Sequence, residues 1–309
     1  MRIASVDLIS NTCFPALAAD SLGFFEEEGV DVQISLIPAL GATKALKANS
    51  VDAVIAGSVH DVLTEFDHWK GVSVCVALSQ GTPWLLTMRK DFKAKRGDFA
   101  SLKGCTLTAA EGPDLAFKKV LEAGGINPNQ DVNIIELPEA NSQNVSFGVF
   151  AAEKLASGCF DGFWANAMGA EKAIDSGSGK LFLDVRRGDD PSSTQYFTFA
   201  GLVARDDFIE REGDKVEAAV RAIVRAQSAL KRDPKLAKKV GEKKFSKDTA
   251  RLISNVISRD VEFYDPFISK KRVKHLNSFA QLIGHIKCDV AYNEVVSLRC
   301  RSLWVKDRL

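Results

Sequence analysis

The chain has no Cys-x-x-C pair, no excess of either charge and no uninterrupted apolar run of bilayer-spanning length. Its six cysteines, at 13, 75, 105, 159, 288 and 300, show no framework spacing. Cys75, Cys105 and Cys159 fall in apolar, strand-like runs, where a reduced cysteine acts as a small hydrophobe. This usage favours a reducing compartment over a disulfide scaffold. With 41 Lys+Arg against 40 Asp+Glu, no global basic field exists to hold a nucleic acid or an anionic membrane. Catalytic fingerprints are missing too: there is no G-x-G-x-x-G behind a strand, no Walker A loop, no G-x-S-x-G elbow and no H-E-x-x-H. His60 and His68, eight apart, and His285-x-x-Cys288 lack metal-ligand spacing. Neither a metal nor a cofactor is therefore expected.

Two stretches bear on membranes and export. Residues 71–88 carry no charge, but Ser79-Gln80-Gly81-Thr82-Pro83 breaks them into two strand-length pieces, so no transmembrane segment is expected. Residues 8–19 have the length of a signal h-region and end in small residues. Asp7, a lone Arg2, the polar Ser10-Asn11-Thr12 and Pro15 argue against that reading, and Cys13 has no Leu three positions upstream. The start reads as folded protein without an export signal.

What is present is a regular alternation. Strands are expected over Arg2–Leu8, Val30–Leu36, Val51–Ala56 and Val72–Leu78, with helices over Pro15–Glu28, Gly41–Ala48 and Val59–Trp69. Beyond the charged connector 89–101 a second series begins. Its strands are Cys105–Ala109, Val132–Leu137, Cys159–Trp164 and Leu181–Asp184, and its helices are Asp114–Ala123, Gly148–Ser157 and Ala167–Ser176. Thr198–Ala204 reads as a strand returning to the first series. Helices then follow over Asp214–Lys231, Lys235–Phe245, Lys247–Phe263 and Arg272–Leu282. The pattern predicts an α/β protein with mostly parallel sheets and covering helices. Its discontinuous first domain comprises 1–88 and 196–309, with a helical C-terminal layer, and its inserted second α/β domain comprises 89–195. The expected ligand site is the inter-domain cleft, at strand carboxyl ends. Residues 231–275 carry 14 Lys/Arg against 6 Asp/Glu, most simply a solvated helical surface.

The runs ALAADSLGFFEEEGVDVQI, LKANSVDAVIAG, MRKDF with SLKGCTLTAA, VLEAGGINPNQDVNIIEL, LASGCFDGFWANAMGAEKA and VARDDFIEREGDKVEAAVRAIVRA follow in order along most of the chain. Together they resemble the nitrate/sulfonate/taurine-type solute-binding proteins of ABC transporters, a family that includes thiamine pyrimidine synthases and an aromatic sulfinate desulfinase. The resemblance implies a type II periplasmic-binding-protein fold with a hinge and an inter-domain cleft. It further implies a small organic ligand, an ABC permease as partner if the protein is exported, and a periplasmic location. With no export signal read in the sequence, a cytoplasmic location is the alternative. Two departures matter: the Cys-rich motif of the pyrimidine synthases is missing, and VIAG at Val54–Gly57 stands where the desulfinase has Arg-Gly-Gly.

On that scaffold the loop behind the first strand, with Asn11, Thr12, Cys13 and Phe14, faces the ligand and opens a helix, although simple capping explains the same residues. Gly57 allows close backbone approach, and Ser58 can cap or contact; His60 stands beside them. Trp84 at the domain crossing and Trp164 offer flat apolar walls, or serve as core. Asn166 can cap its helix and reach the ligand; Asn144 lies in a polar loop, and Tyr196, with Thr198, at the return crossing. Glu111, with Asp114, opens a helix whose negative charge disfavours an oxyanion and suits a neutral or cationic group. No catalytic residue is assigned to the solute-binding reading. The alternative, a cytoplasmic enzyme acting on an aromatic or heterocyclic substrate, would use Cys13 or His60. A third reading is an intracellular sensor that docks a partner on the basic helical surface.

Overall fold

The computed structural model describes residues 1–37, 40–142, 146–191 and 193–304. Its strands are β1 (Arg2–Ser5), β2 (Gln33–Leu36), β3 (Ala53–Ala56), β4 (Val72–Ser79), β5 (Trp84–Arg89), β6 (Thr106–Ala109), β7 (Asn133–Ile135), β8 (Gly162–Asn166), β9 (Gly179–Asp184) and β10 (Ala200–Arg205). They form two five-stranded sheets, ordered β2-β1-β3-β10-β4 and β7-β6-β8-β5-β9. The described chain divides into two compact units. One comprises Met1–Gly81 together with Thr198 onward, the other Thr82–Phe197. The uncharged run 71–88 thus becomes two strands, β4 in the first sheet and β5 in the second. Among the described residues no helix is long and apolar enough to cross a membrane.

In the first unit β1 runs parallel to β2 and β3, while β10 lies antiparallel between β3 and β4. The carboxyl ends of β1 to β4 and the amino end of β10 therefore share one sheet edge. The four residues of β3 are all buried, as a central strand covered on both faces requires; β2, at the rim, alternates exposed and half-buried. The helix expected over Pro15–Glu28 is two helices, Phe14–Ser21 and Phe24–Glu27, because Gly23 at φ 81° turns the chain out of helical geometry.

The helix expected over Val59–Trp69 does not form. Two 3₁₀ turns, Val59–Thr64 and Asp67–Trp69, take its place, with His68 at φ 50°. Val59, Val62 and Thr64 are β-branched, and Asp61 and Asp67 compete for backbone groups, so local helix propensity is weak. The Val59 N–H is instead held by the Phe199 carbonyl at 3.0 Å.

β4 is a rim strand, and its outer edge is covered by the C-terminal half of the chain. Gln227, buried on the helix Gly213–Arg232, donates Nε2–H to the carbonyls of Ala77 (2.9 Å) and Leu78 (2.7 Å). The Ala77 N–H goes to the Pro266 carbonyl at 3.2 Å and the Ser297 N–H to the Val74 carbonyl at 3.0 Å. Trp304 Nε1–H reaches the Cys75 carbonyl at 3.0 Å. An open β edge invites pairing with another chain, and this lattice of donors and acceptors closes it.

In the second unit β6 is parallel to β7 and β8, and β5 runs antiparallel between β8 and β9. The helices Phe147–Ala156 and Ala167–Asp175 touch backbone to backbone: a Cβ on Gly169 would sit 2.6 Å from the Gly148 oxygen. The strand expected from Cys159 begins only at Gly162, so Cys159 is exposed in the preceding turn and is not the small core hydrophobe its apolar neighbours suggested.

Candidate functional site

At the carboxyl edge of the first sheet, β1 ends at Ser5 and the chain turns through Asp7, whose Oδ1 accepts the N–H groups of Ile9 (2.8 Å) and Ser10 (3.0 Å). This local turn buries Ser10, Asn11, Thr12 and Cys13 at the start of the helix Phe14–Ser21. Asn11 is gripped from far along the chain. Its Nδ2–H donates to Asp260 Oδ2 at 2.8 Å, and its carbonyl accepts from the Tyr264 hydroxyl at 2.7 Å. Asn11 Oδ1 is buried and has no hydrogen-bond partner among the described residues. The donation to a carboxylate fixes which end of the amide is oxygen, so the orphaned atom is an acceptor. The hydroxyls of Ser10 and Thr12 pair at 2.9 Å. Burial, with Asp7 nearby, pushes the Cys13 thiol up to about 12, so at neutral pH it is protonated and a poor nucleophile. Phe14 is fully buried core.

Gly57 and Ser58 follow β3 at the same edge. Ser58 is buried at the cap position of the 3₁₀ turn, but its side chain makes no capping bond. His60 is fully enclosed, with Nδ1 at 3.1 Å from Thr198 Oγ1 and its ring edge-on to Phe279 at 4.9 Å. Burial, with His285 adding to it, lowers its pKa to about 3. Although Asp61 Oδ1 lies 3.4 Å from Nε2, desolvation outweighs that attraction and the ring is neutral.

The second sheet assembles a matching edge from the carboxyl ends of β6 to β9 and the amino end of β5. Trp84 faces Asn166 in register. Asn166 performs the expected capping, its Oδ1 accepting from Met168 N–H (3.1 Å) and Gly169 N–H (3.3 Å), while Nδ2–H donates to Ser146 Oγ at 3.4 Å. Trp164 is fully buried and stacks on Phe117 with centroids 5.1 Å apart; Trp84 lies 6.1 Å from Trp164. These tryptophans pack as core of the second unit. Glu111 is exposed and lines a cavity of about 620 Å³, together with Asp114, Lys118, Glu136, Leu137 and Phe147. Lys118 is committed to Asp114 at 2.8 Å. Tyr196 is half-buried in the 3₁₀ turn Thr194–Tyr196; Asn144 lies outside the described residues.

A family model described as NMT1/THI5 like matches residues 11–237. The chain belongs to that family. Among curated proteins it is 25% identical over 304 residues to YtlA of Bacillus subtilis (strain 168), described as a candidate binding protein, covering 92% of this chain and 83% of that one. Among solved structures, the alkanesulfonate-binding protein SsuA of Xanthomonas axonopodis pv. citri, bound to MOPS, superposes with a TM-score of 0.69 at 16% identity, covering 96% of this chain and 97% of that one. The desulfurization enzyme DSZB superposes equally well, with a TM-score of 0.69 at 11% identity and 99% of each chain covered. The two-domain, periplasmic-binding-protein-like α/β fold is thereby shown, and it hosts both binding and catalysis.

Within this NMT1/THI5-like chain, sequence reasoning missed Asp260, Tyr264 and Phe279. Asp260 had one readable signal, a carboxylate on the buried stripe of the helix Lys247–Asp260. A charge at such a position needs partners, here the Arg259 guanidinium at 3.3 Å and the Asn11 amide.

Proposed function

We infer that this chain is the solute-binding component of an ABC-type uptake system and holds a small, neutral or cationic organic molecule at the carboxyl edge of its first sheet. The observation that carries the reading is Asn11 Oδ1, a buried acceptor at that edge with no donor among the described residues. Leaving such an atom unmet costs about 1–3 kcal/mol, and a ligand N–H or O–H would recover it. Charge supports the same chemistry: Asp260, paired with Arg259 at 3.3 Å, lies against Asn11, and in the second unit Glu111, Asp114 and Glu136 line a cavity together with Lys118. A sulfonate or nitrate would meet like charge at these positions.

The enzyme alternative needs a reactive group at the first edge. Cys13 is held protonated and His60 is enclosed and neutral, which favours binding without chemistry. On this reading the protein works outside the cytoplasmic membrane and delivers its ligand to the permease of the system.

The test is native mass spectrometry of purified protein, followed by a thermal-shift screen of amines, aromatic heterocycles, polyols and oxyanions. A ligand at 100 times its Kd should add about 2.7 kcal/mol. Asn11→Ala should then weaken binding by about 2- to 10-fold through one lost hydrogen bond. Conversion of the ligand on incubation, or binding confined to oxyanions, would overturn the reading.

A further inference from the structure

Two of the six cysteines meet although 225 positions separate them in the chain. Cys75 lies on β4 and Cys300 in the 3₁₀ segment Leu298–Trp304, and both are fully buried free thiols. Their meeting is fixed by backbone bonds on either side. Val74 bridges to Val296, the Ser297 N–H binds the Val74 carbonyl at 3.0 Å, and Trp304 Nε1–H binds the Cys75 carbonyl at 3.0 Å. The Cys300 N–H is itself tied to the Ser297 carbonyl at 3.3 Å. This frame leaves each thiol beside the other, with Cys75 Sγ donating to the Ser73 carbonyl at 3.7 Å. Neither participates in the candidate site, and Cys75 is fully buried although its strand lies at the rim of its sheet.

We propose that Cys75 and Cys300 are a redox-modifiable pair that closes to a disulfide, fastening the C-terminal segment to the outer edge of β4. The oxidant is a small-molecule disulfide. The Cys300 thiol loses its proton and attacks one sulfur of that disulfide, releasing one thiol and leaving a mixed disulfide. Cys75 then loses its proton and attacks Cys300 Sγ, expelling the second thiol. Two S–H bonds are exchanged for one S–S bond, and the oxidant is reduced to two thiols. The contact with Cys75 draws the Cys300 thiol down from its ordinary value and pushes Cys75 up, which suits Cys300 to the first attack. Access comes through opening of the chain's last segment, a far smaller event than global unfolding. The consequence is local and specific: β4 ends at Ser79, three residues before the chain passes into the second unit at Thr82, so the bond fastens the strand that leads to this crossing.

The test uses the full chain with Cys159→Ser and Cys288→Ser, which removes the two exposed thiols. The protein is refolded in oxidised and reduced glutathione, the remaining free thiols are alkylated under denaturing conditions, and peptides are mapped. The expected result is an intact mass, read before alkylation, lower by about 2 Da from two lost hydrogens, and a peptide linking 75 to 300, with Cys13 and Cys105 alkylated. The oxidised form should unfold at higher urea concentration, and reductant should reverse that shift. Cys300→Ser should abolish both the linkage and the shift. If that variant does not fold, the peptide map of the parent decides alone. Alkylation at both 75 and 300, or glutathione retained on either one, overturns the proposal.

Discussion

The enclosed neutral His60 makes stability depend on pH in a direction that can be worked out. In the unfolded chain an imidazole titrates near its ordinary value of about 6.5; in the folded protein burial lowers it to about 3. The unfolded state therefore binds the extra proton first. The stability from keeping this ring neutral is fully present above the unfolded value and is lost as pH falls from there toward the folded value. Integration over one site gives a loss of about 2 kcal/mol between pH 7 and pH 5. His285, 6.2 Å from His60 and also lowered by burial, adds in the same direction. Carboxylates titrate in this range too, so the informative quantity is a difference of differences: urea unfolding of wild type and His60→Gln at both pH values. The variant should start weaker at pH 7 by about 1 kcal/mol, for the lost Thr198 hydrogen bond, and lose about 2 kcal/mol less on going to pH 5. An NMR titration gives the same test directly, with the His60 ring unprotonated at pH 5. An equal loss in both proteins, or a ring that titrates near 6.5, would refute the reasoning.

Other outcomes follow from contacts already described. Asn11→Asp would set a second carboxylate against Asp260 in a buried site and should lower stability by about 3 kcal/mol, read from the unfolding midpoint at pH 7; a neutral effect would mean that the Asn11 pocket is wet. Gly169→Ala would place a methyl 2.6 Å from the Gly148 oxygen and should cost about 1–3 kcal/mol by overpacking, whereas an unchanged melting temperature would show that the two helices separate easily. In reduced, folded protein Cys159 and Cys288 should react rapidly with a thiol reagent while buried Cys13 stays unreacted at pH 8. Fast labelling at Cys13 would return it to consideration as a nucleophile.

Much of the fold was legible because its punctuation is local. Strand runs such as VDAVIA end at Gly57, helices stop at Gly29 and Gly124, and the alternation of types dictates covered sheets. The failures also have local causes. Val59–Trp69 has apolar residues at helical spacing, but its β-branched and Asp residues give the backbone no strong reason to complete α turns, and a bond to Phe199, just ahead of β10, settles it otherwise. The site was only half legible. Asn11 and Ser58 could be placed because they follow strands, whereas the grip of Asp260 and Tyr264 on Asn11 spans about 250 positions and leaves no mark in either neighbourhood. Trp164 was ambiguous for the opposite reason. A tryptophan at a strand end suits a wall or a core equally, and only the stacking of Phe117 on it decides.

The placement of β10 also governs the order in which the molecule can be made. The sheet of the second unit is drawn wholly from β5 to β9, so it can close as soon as those residues leave the ribosome. The first sheet cannot. Its strands β3 and β4 emerge early but are joined only through β10, and the groups that cover β4 arrive later still, up to Trp304. Until then a nascent chain carries a half-built sheet with two unpaired edges, the state most prone to wrong pairing. The element synthesised first is thus the last to be finished.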